Sequence, residues 1–131
     1  MRGLDLSAAY TYVNAIETTP IVGDILRTFV IPRHQFSAAA TWRAGARTLF
    51  SFDTLDSTNY LDPIYGYPNT LVYRFAGPHK INAGASYRLP LGGFRAARFF
   101  VRAENLTGQV YYTNGFVMPG RTANGGIQYE F

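Results

Sequence analysis

Cysteine is absent from the chain of 131 residues, which excludes a disulfide framework, a thiolate zinc site and a thiol nucleophile. Charge is scarce as well: Asp, Glu, Lys and Arg make up 15% of the residues, against about 25% in an average globular protein. Lysine is reduced to the single Lys80, so eleven of the twelve basic residues are Arg. These arginines stand singly between apolar residues, as Arg98 and Arg102 do around Phe99-Phe100-Val101. The net charge of +4 is thus spread without a basic face or stripe, and the reading expects no nucleic-acid partner. Long apolar runs are missing too, since no stretch approaches the roughly 18 residues that a membrane-spanning helix needs. The opening Met1-Arg2-Gly3-Leu4-Asp5 puts charge where a signal peptide has its apolar core, so no export signal is expected within the chain.

Aromatic residues are plentiful, with ten Tyr, ten Phe and one Trp, a composition far from that of disordered chains. Their arrangement has period 2, the spacing of a strand with two different faces. In Leu4 to Tyr12 the even positions are apolar or aromatic and the odd ones small or polar. The alternation returns in Phe36, Ala38, Ala40 and Trp42, in Phe50 and Phe52, and in Ile81, Ala83, Ala85 and Tyr87. It continues in Phe99, Val101 and Ala103 and in Ile127, Tyr129 and Phe131. Six strands are predicted, at about residues 3–14, 33–43, 47–54, 77–89, 96–106 and 120–131, so the fold class is an all-β antiparallel meander.

An internal repeat reinforces the pattern. Residues Arg33 to Arg43 align without gaps on Pro78 to Arg88, an offset of 45, and a weaker copy at an offset of 87 places Tyr129 on Trp42. The repeating unit is a hairpin, and the connections between strands alternate in length. Ala15 to Pro32 is 18 residues, Leu55 to Ala76 is 22 and Thr107 to Pro119 is 13, whereas Ala44 to Ala46 is 3 and Pro90 to Phe94 is 5. Long loops at one end of a sheet and tight turns at the other, with an even number of strands near ten residues each, form the pattern of an outer-membrane β-barrel. A soluble sandwich gives no reason for every second connection to be long.

In such a barrel the apolar face meets lipid and the Ser, Thr, Asn, Gln and Arg face lines a wet lumen. Trp42, Tyr87 and Tyr129 share one repeat position beside the short turns or the chain end, where an interfacial aromatic girdle belongs. Arg43, Arg47, Arg88 and Arg95 flank the short turns, where anionic phospholipid is expected to meet them. Six strands do not close around a useful lumen, and the expectation is the end of a larger barrel of about 22 strands.

The ending carries a family likeness. Val101-Arg102-Ala103-Glu104-Asn105-Leu106-Thr107-Gly108-Gln109-Val110-Tyr111-Tyr112, then Met118-Pro119-Gly120-Arg121-Thr122, then a closing strand through Tyr129-Glu130-Phe131, resembles the C-terminus of TonB-dependent outer-membrane receptors. Pro32-Arg33-His34-Gln35-Phe36 is similar to the start of a descending strand in that family. Thr107 stands where Phe is more usual, and nothing resembles the N-terminal plug domain or the box that contacts TonB. The resemblance implies a partial receptor barrel over residues 1–131, at the cell outer membrane, in a protein that takes up a scarce nutrient such as a ferric siderophore. It implies as partners the outer-membrane lipid, the remaining strands and plug of the same receptor, and TonB through the missing N-terminal part. The barrel-assembly machinery is a further implied partner, reading Ile127, Tyr129 and Phe131 as an assembly signal.

Catalytic chemistry finds no foothold. Ser51 and Ser86 lack a nucleophile elbow beside His79, and Asp53, Asp56 and Asp62 read as solvated loop carboxylates. His34 and His79 occupy equivalent repeat positions and read as interfacial residues rather than a ligand pair. No catalytic residue, metal site or cofactor is assigned. The loop from Tyr60 to Pro68 is the candidate for ligand contact, through Tyr60, Tyr65 and Tyr67, because rigid aromatic rings give large contact area at low entropy cost. Two other classes of function compete: a small soluble β-domain that binds lipid or protein through its aromatic face, and an enzyme built at a barrel rim.

Overall fold

The structure, a computed structural model, describes residues 3–14, 17–19, 23–25, 30–64 and 71–131. It is all-β, with no helix among the described residues. In chain order the strands are β1 (Leu4–Tyr12), β2 (Glu17–Thr19), β3 (Gly23–Ile25), β4 (His34–Ala44), β5 (Thr48–Ser57) and β6 (Tyr60–Ile64). They continue with β7 (Leu71–Phe75), β8 (His79–Gly92), β9 (Arg95–Glu104), β10 (Tyr112–Thr113), β11 (Phe116–Val117) and β12 (Thr122–Glu130). Six of them form one sheet in the order β1-β4-β5-β8-β9-β12, and every neighbouring pair is antiparallel.

The register places the alternation predicted for the apolar residues on a single face. Leu6 lies opposite Ala40, Ala40 opposite Phe52, and Phe52 opposite Ala83. Ala83 lies opposite Ala103, and Ala103 opposite Ala123. Side chains directly opposite in an antiparallel sheet share a face, so this row and its neighbours make one apolar surface across all six strands. The other face has Ser7, Ala39, Asp53 and Asn82 in one row and Arg88, Arg98 and Gln128 in another.

Among the described residues no second layer covers either face. Among the described residues the buried apolar ones are Tyr60, Ala96, Ala97 and Tyr111, and the buried polar ones are Asn82 and Asn105. A soluble domain of comparable length buries about two thirds of the surface its unfolded chain exposes. Here Leu6 is 72% exposed and Ile127 is 69% exposed, in a sheet for which the described residues form no second layer to pack against.

Three departures from the sequence reading have local causes. The long connections are not structureless: β2–β3, β6–β7 and β10–β11 each fold back as a small hairpin, which pairs backbone groups that a plain loop leaves to solvent. The third long strand runs to Ser57 instead of ending near residue 54, because Leu55, Asp56 and Ser57 find backbone partners on β4. The fourth runs to Gly92 instead of 89, with a register shift between Pro90 and Gly92 that absorbs the proline.

Candidate functional site

The polar face is built around Asp53. Arg102 on β9 reaches across β8 to place its Nη2 2.9 Å from Asp53 Oδ1, and its Nε donates to Glu104 Oε1 at 2.9 Å. Gly84 makes that crossing possible, since it lies in register between Ser51 and Arg102 and presents no side chain in the path. Asn82 donates from Nδ2 to Asp53, and its Oδ1 accepts from the backbone N–H of Asn105 at 2.9 Å. Asp53 is therefore the centre of an ion-paired network on β5 and not a solvated loop carboxylate. Nearer the short turns Glu130 sits between Arg88 and Arg98, at 2.8 and 3.2 Å.

Asn105 is the hinge between this network and the last long connection. It is 3% exposed and holds φ at +51°, a left-handed conformation that Asn tolerates better than most residues. Its Nδ2 reaches both the Gln109 carbonyl at 3.0 Å and the Pro119 carbonyl at 3.2 Å, closing the base of the loop. Thr107 Oγ1 lies within hydrogen-bond distance of His79 O at 2.8 Å and Asn105 Oδ1 at 2.9 Å, and Arg121 Nε donates to Leu106 O at 3.2 Å. The Glu-Asn-Leu and Pro-Gly-Arg segments thus meet as one clasp. Asn105→Ala removes the amide and forces alanine into the left-handed region, a loss on the order of 2 kcal/mol. Limited proteolysis at residues 107–119 reads it, and Asn105→Gly, which keeps the φ, is expected to be milder.

The three long connections touch one another at the same end of the sheet. The Val30 amide donates to the Leu61 carbonyl at 2.7 Å, and the Phe75 ring lies 5.7 Å from Tyr60 and 5.1 Å from Tyr112. Tyr60 is only 4% exposed, with its ring beside Phe75 of the same hairpin and its hydroxyl near the backbone of Asn114 and Gly115 in the last long connection. Burial pushes the Tyr60 hydroxyl above its ordinary pKa and the Asp62 carboxylate adds to that, against the backbone at Gly115 and Asn114. The other two candidate contacts, Tyr65 and Tyr67, lie outside the described residues.

The apolar face has polar groups at its loop end. His34 Nδ1 meets Tyr10 Oη at 2.8 Å, and His79 meets the Asp56 carboxylate, so each histidine already has a protein partner. Among the described residues no group of three or more His, Asp or Glu is arranged to hold a metal ion. Ile127, Tyr129 and Phe131 line the same face at the opposite end, and the Tyr129 and Phe131 rings stack with centroids 6.2 Å apart.

Trp42, Tyr87 and Tyr129 do not lie straight across the sheet. Trp42 is level with Phe50 and Ala85, so Tyr87 falls two residues beyond it on β8. Tyr87 is level with Phe99 and Ile127, so Tyr129 falls two residues further on β12. The row advances one residue per strand, or about 3.3 Å along the chain for each 4.8 Å across it, which inclines it by roughly 35°. Strands of membrane barrels tilt by about 35 to 45°. Sequence reasoning found these three aromatics through the repeat but missed the stagger, and it gave no role to Asn82 and none to Asn105 beyond its place in the terminal motif.

Comparison of the chain with protein-family models, with curated proteins and with solved structures finds no match.

Proposed function

We propose that the chain is the C-terminal part of the β-barrel of a TonB-dependent receptor in the outer membrane of a Gram-negative-type cell. The receptor takes up a scarce nutrient, with ferric siderophores as the leading substrate class, and this part contributes barrel wall and external loops and performs no catalysis. The inclined aromatic row is the observation that carries the reading. Trp42, Tyr87 and Tyr129 are 48%, 41% and 51% exposed, and a girdle that follows a flat membrane surface must step along tilted strands in this way. From His34 to Trp42 the strand advances roughly 26 Å, or roughly 22 Å along the membrane normal at that tilt, close to the ~25 Å apolar band of such barrels. The uncovered apolar face, the open edges of β1 and β12 and the resemblance of the final strands to the family support the same conclusion.

In this reading β12 descends to the periplasm, the three hairpin-bearing connections lie outside the cell, and the turns at Gly45 and Gly93 lie in the periplasm. Cysteines introduced one at a time by Asp62→Cys and Gly92→Cys test it in intact cells with a membrane-impermeant thiol reagent. The first is expected to label and the second to label only after the outer membrane is opened. The reverse pattern contradicts the orientation, and equal labelling of both contradicts a spanning sheet.

A further inference from the structure

Three arginines stand side by side on the polar face at the turn end of the sheet. The Arg88 amide donates to the Arg47 carbonyl at 2.8 Å, one step past the Thr48–Tyr87 pair, which sets Arg47 opposite Arg88, and Arg88 lies opposite Arg98. The row therefore runs over β5, β8 and β9 with neighbouring side chains about 5 Å apart, and all three are exposed. Like charges directly opposite in a sheet are destabilising, so the row is held at a cost in stability. Glu130 offsets part of that cost by bridging Arg88 Nε and Arg98 Nη2 at 2.8 and 3.2 Å. The matching gap between Arg47 and Arg88 holds no carboxylate of the described residues, and the Arg47 guanidinium has no partner among them. Arg43, on the same face, is taken by Asp5 at 3.0 Å.

Beside the arginines lies an apolar platform. In the next row toward the long connections Leu49 is opposite Ser86, Ser86 opposite Phe100, and Phe100 opposite Gly126. The Phe100 ring fills the space over that glycine, where a Cβ would stand 2.8 Å from Phe100 Cζ, and it remains 43% exposed.

We infer that this row is a docking site for an acidic segment of polypeptide. One carboxylate of the partner enters between Arg47 and Arg88 as Glu130 enters between Arg88 and Arg98, and an apolar neighbour rests on Phe100. Guanidinium matches carboxylate in charge and in bidentate geometry. Free phosphate would meet the cations and leave Phe100 in water, whereas an acidic side chain next to an apolar one satisfies both. The row follows from the register alone, but its access to polypeptide and not to lipid rests on the outer-membrane reading, in which the polar face lines the lumen. Of the four arginines expected to meet phospholipid, Arg43, Arg47 and Arg88 then stand on the wrong side of the sheet for it, and Arg95, paired with Gly92, lies on the apolar face.

The full chain in zwitterionic detergent micelles is titrated, by fluorescence anisotropy, against a short fluorescein-labelled peptide in which Glu alternates with Val, and against the same peptide with Gln for Glu. The Glu peptide is expected to bind and the Gln peptide not to. Arg47→Gln is expected to weaken binding about fivefold, whereas Arg95→Gln, the same loss of charge on the opposite face, weakens it less than about twofold. Phe100→Ser is expected to weaken it too, and inorganic phosphate at the peptide's concentration to leave it bound. No binding of the Glu peptide, or equal losses at Arg47 and Arg95, overturns the inference. Displacement of the peptide by phosphatidylglycerol added to the micelles overturns it in favour of lipid. If the Glu peptide fails to bind while Asp62→Cys and Gly92→Cys label as expected above, the inference falls and the outer-membrane reading stands. Peptide held through Arg47 by a chain that stays monomeric without detergent upholds the docking row and overturns the outer-membrane reading.

Discussion

Arginine introduced at Ala38 is expected to destabilise the membrane-embedded protein by about 2 to 4 kcal/mol, while arginine at the adjacent Ala39 costs less than about 1 kcal/mol. Ala38 lies opposite Ala8 and Thr54 on the apolar face, midway between His34 and Trp42, where a guanidinium is far from either interface. Ala39 lies opposite Ser7 and Asp53, so the same side chain there enters the polar network beside a carboxylate. The two positions share a strand and differ only in face, which removes helix propensity, loop strain and folding order as explanations. Urea titrations of the two variants in the same vesicles measure the difference. Equal penalties contradict the assignment of faces.

The second large effect concerns the chain out of the membrane. Purified without detergent, it is expected to run as polydisperse aggregate on size exclusion and to lack a cooperative melt. Among the described residues no layer lies beneath its apolar face, and β1 and β12 present backbone edges that no described strand pairs and that recruit other strands. Detergent that covers the face is expected to restore a discrete species. A sharp monomer peak in buffer alone, melting in one transition, contradicts the membrane assignment and favours a small soluble β-domain.

Much of this architecture was legible in the residues because a half-exposed strand writes its two faces into every second position. The repeat of Arg33 to Arg43 at Pro78 to Arg88 located two equivalent strands before any pairing was known. Strand ends were less legible: Asp56 and Ser57 extend β5 through partners on β4, and Pro90 extends β8 through a bulge, neither of which leaves a local apolar mark. The small hairpins escaped notice for the same reason, since Glu17-Thr18-Thr19 has no alternation and is held by Gly23-Asp24-Ile25. Asn105 stood in plain view within a recognised motif, but its left-handed φ and its burial depend on Asn82, 23 residues away. Asp53 was misread because its partner Arg102 is 49 residues distant and reaches it only over Gly84. Tyr60 showed aromatic character without showing direction, and its ring turned toward Phe75.

The central claim is that one face of this sheet meets lipid and the other meets water. Nitroxide labels placed one at a time at positions 36 to 42 of the membrane-embedded protein test it through collision with oxygen, which concentrates in lipid, and with a nickel chelate, which stays in water. The account predicts strict alternation, with labels at 36, 38, 40 and 42 open to oxygen and labels at 37, 39 and 41 open to the chelate. Chelate access at every position, or oxygen access at the odd positions and chelate access at the even ones, contradicts it.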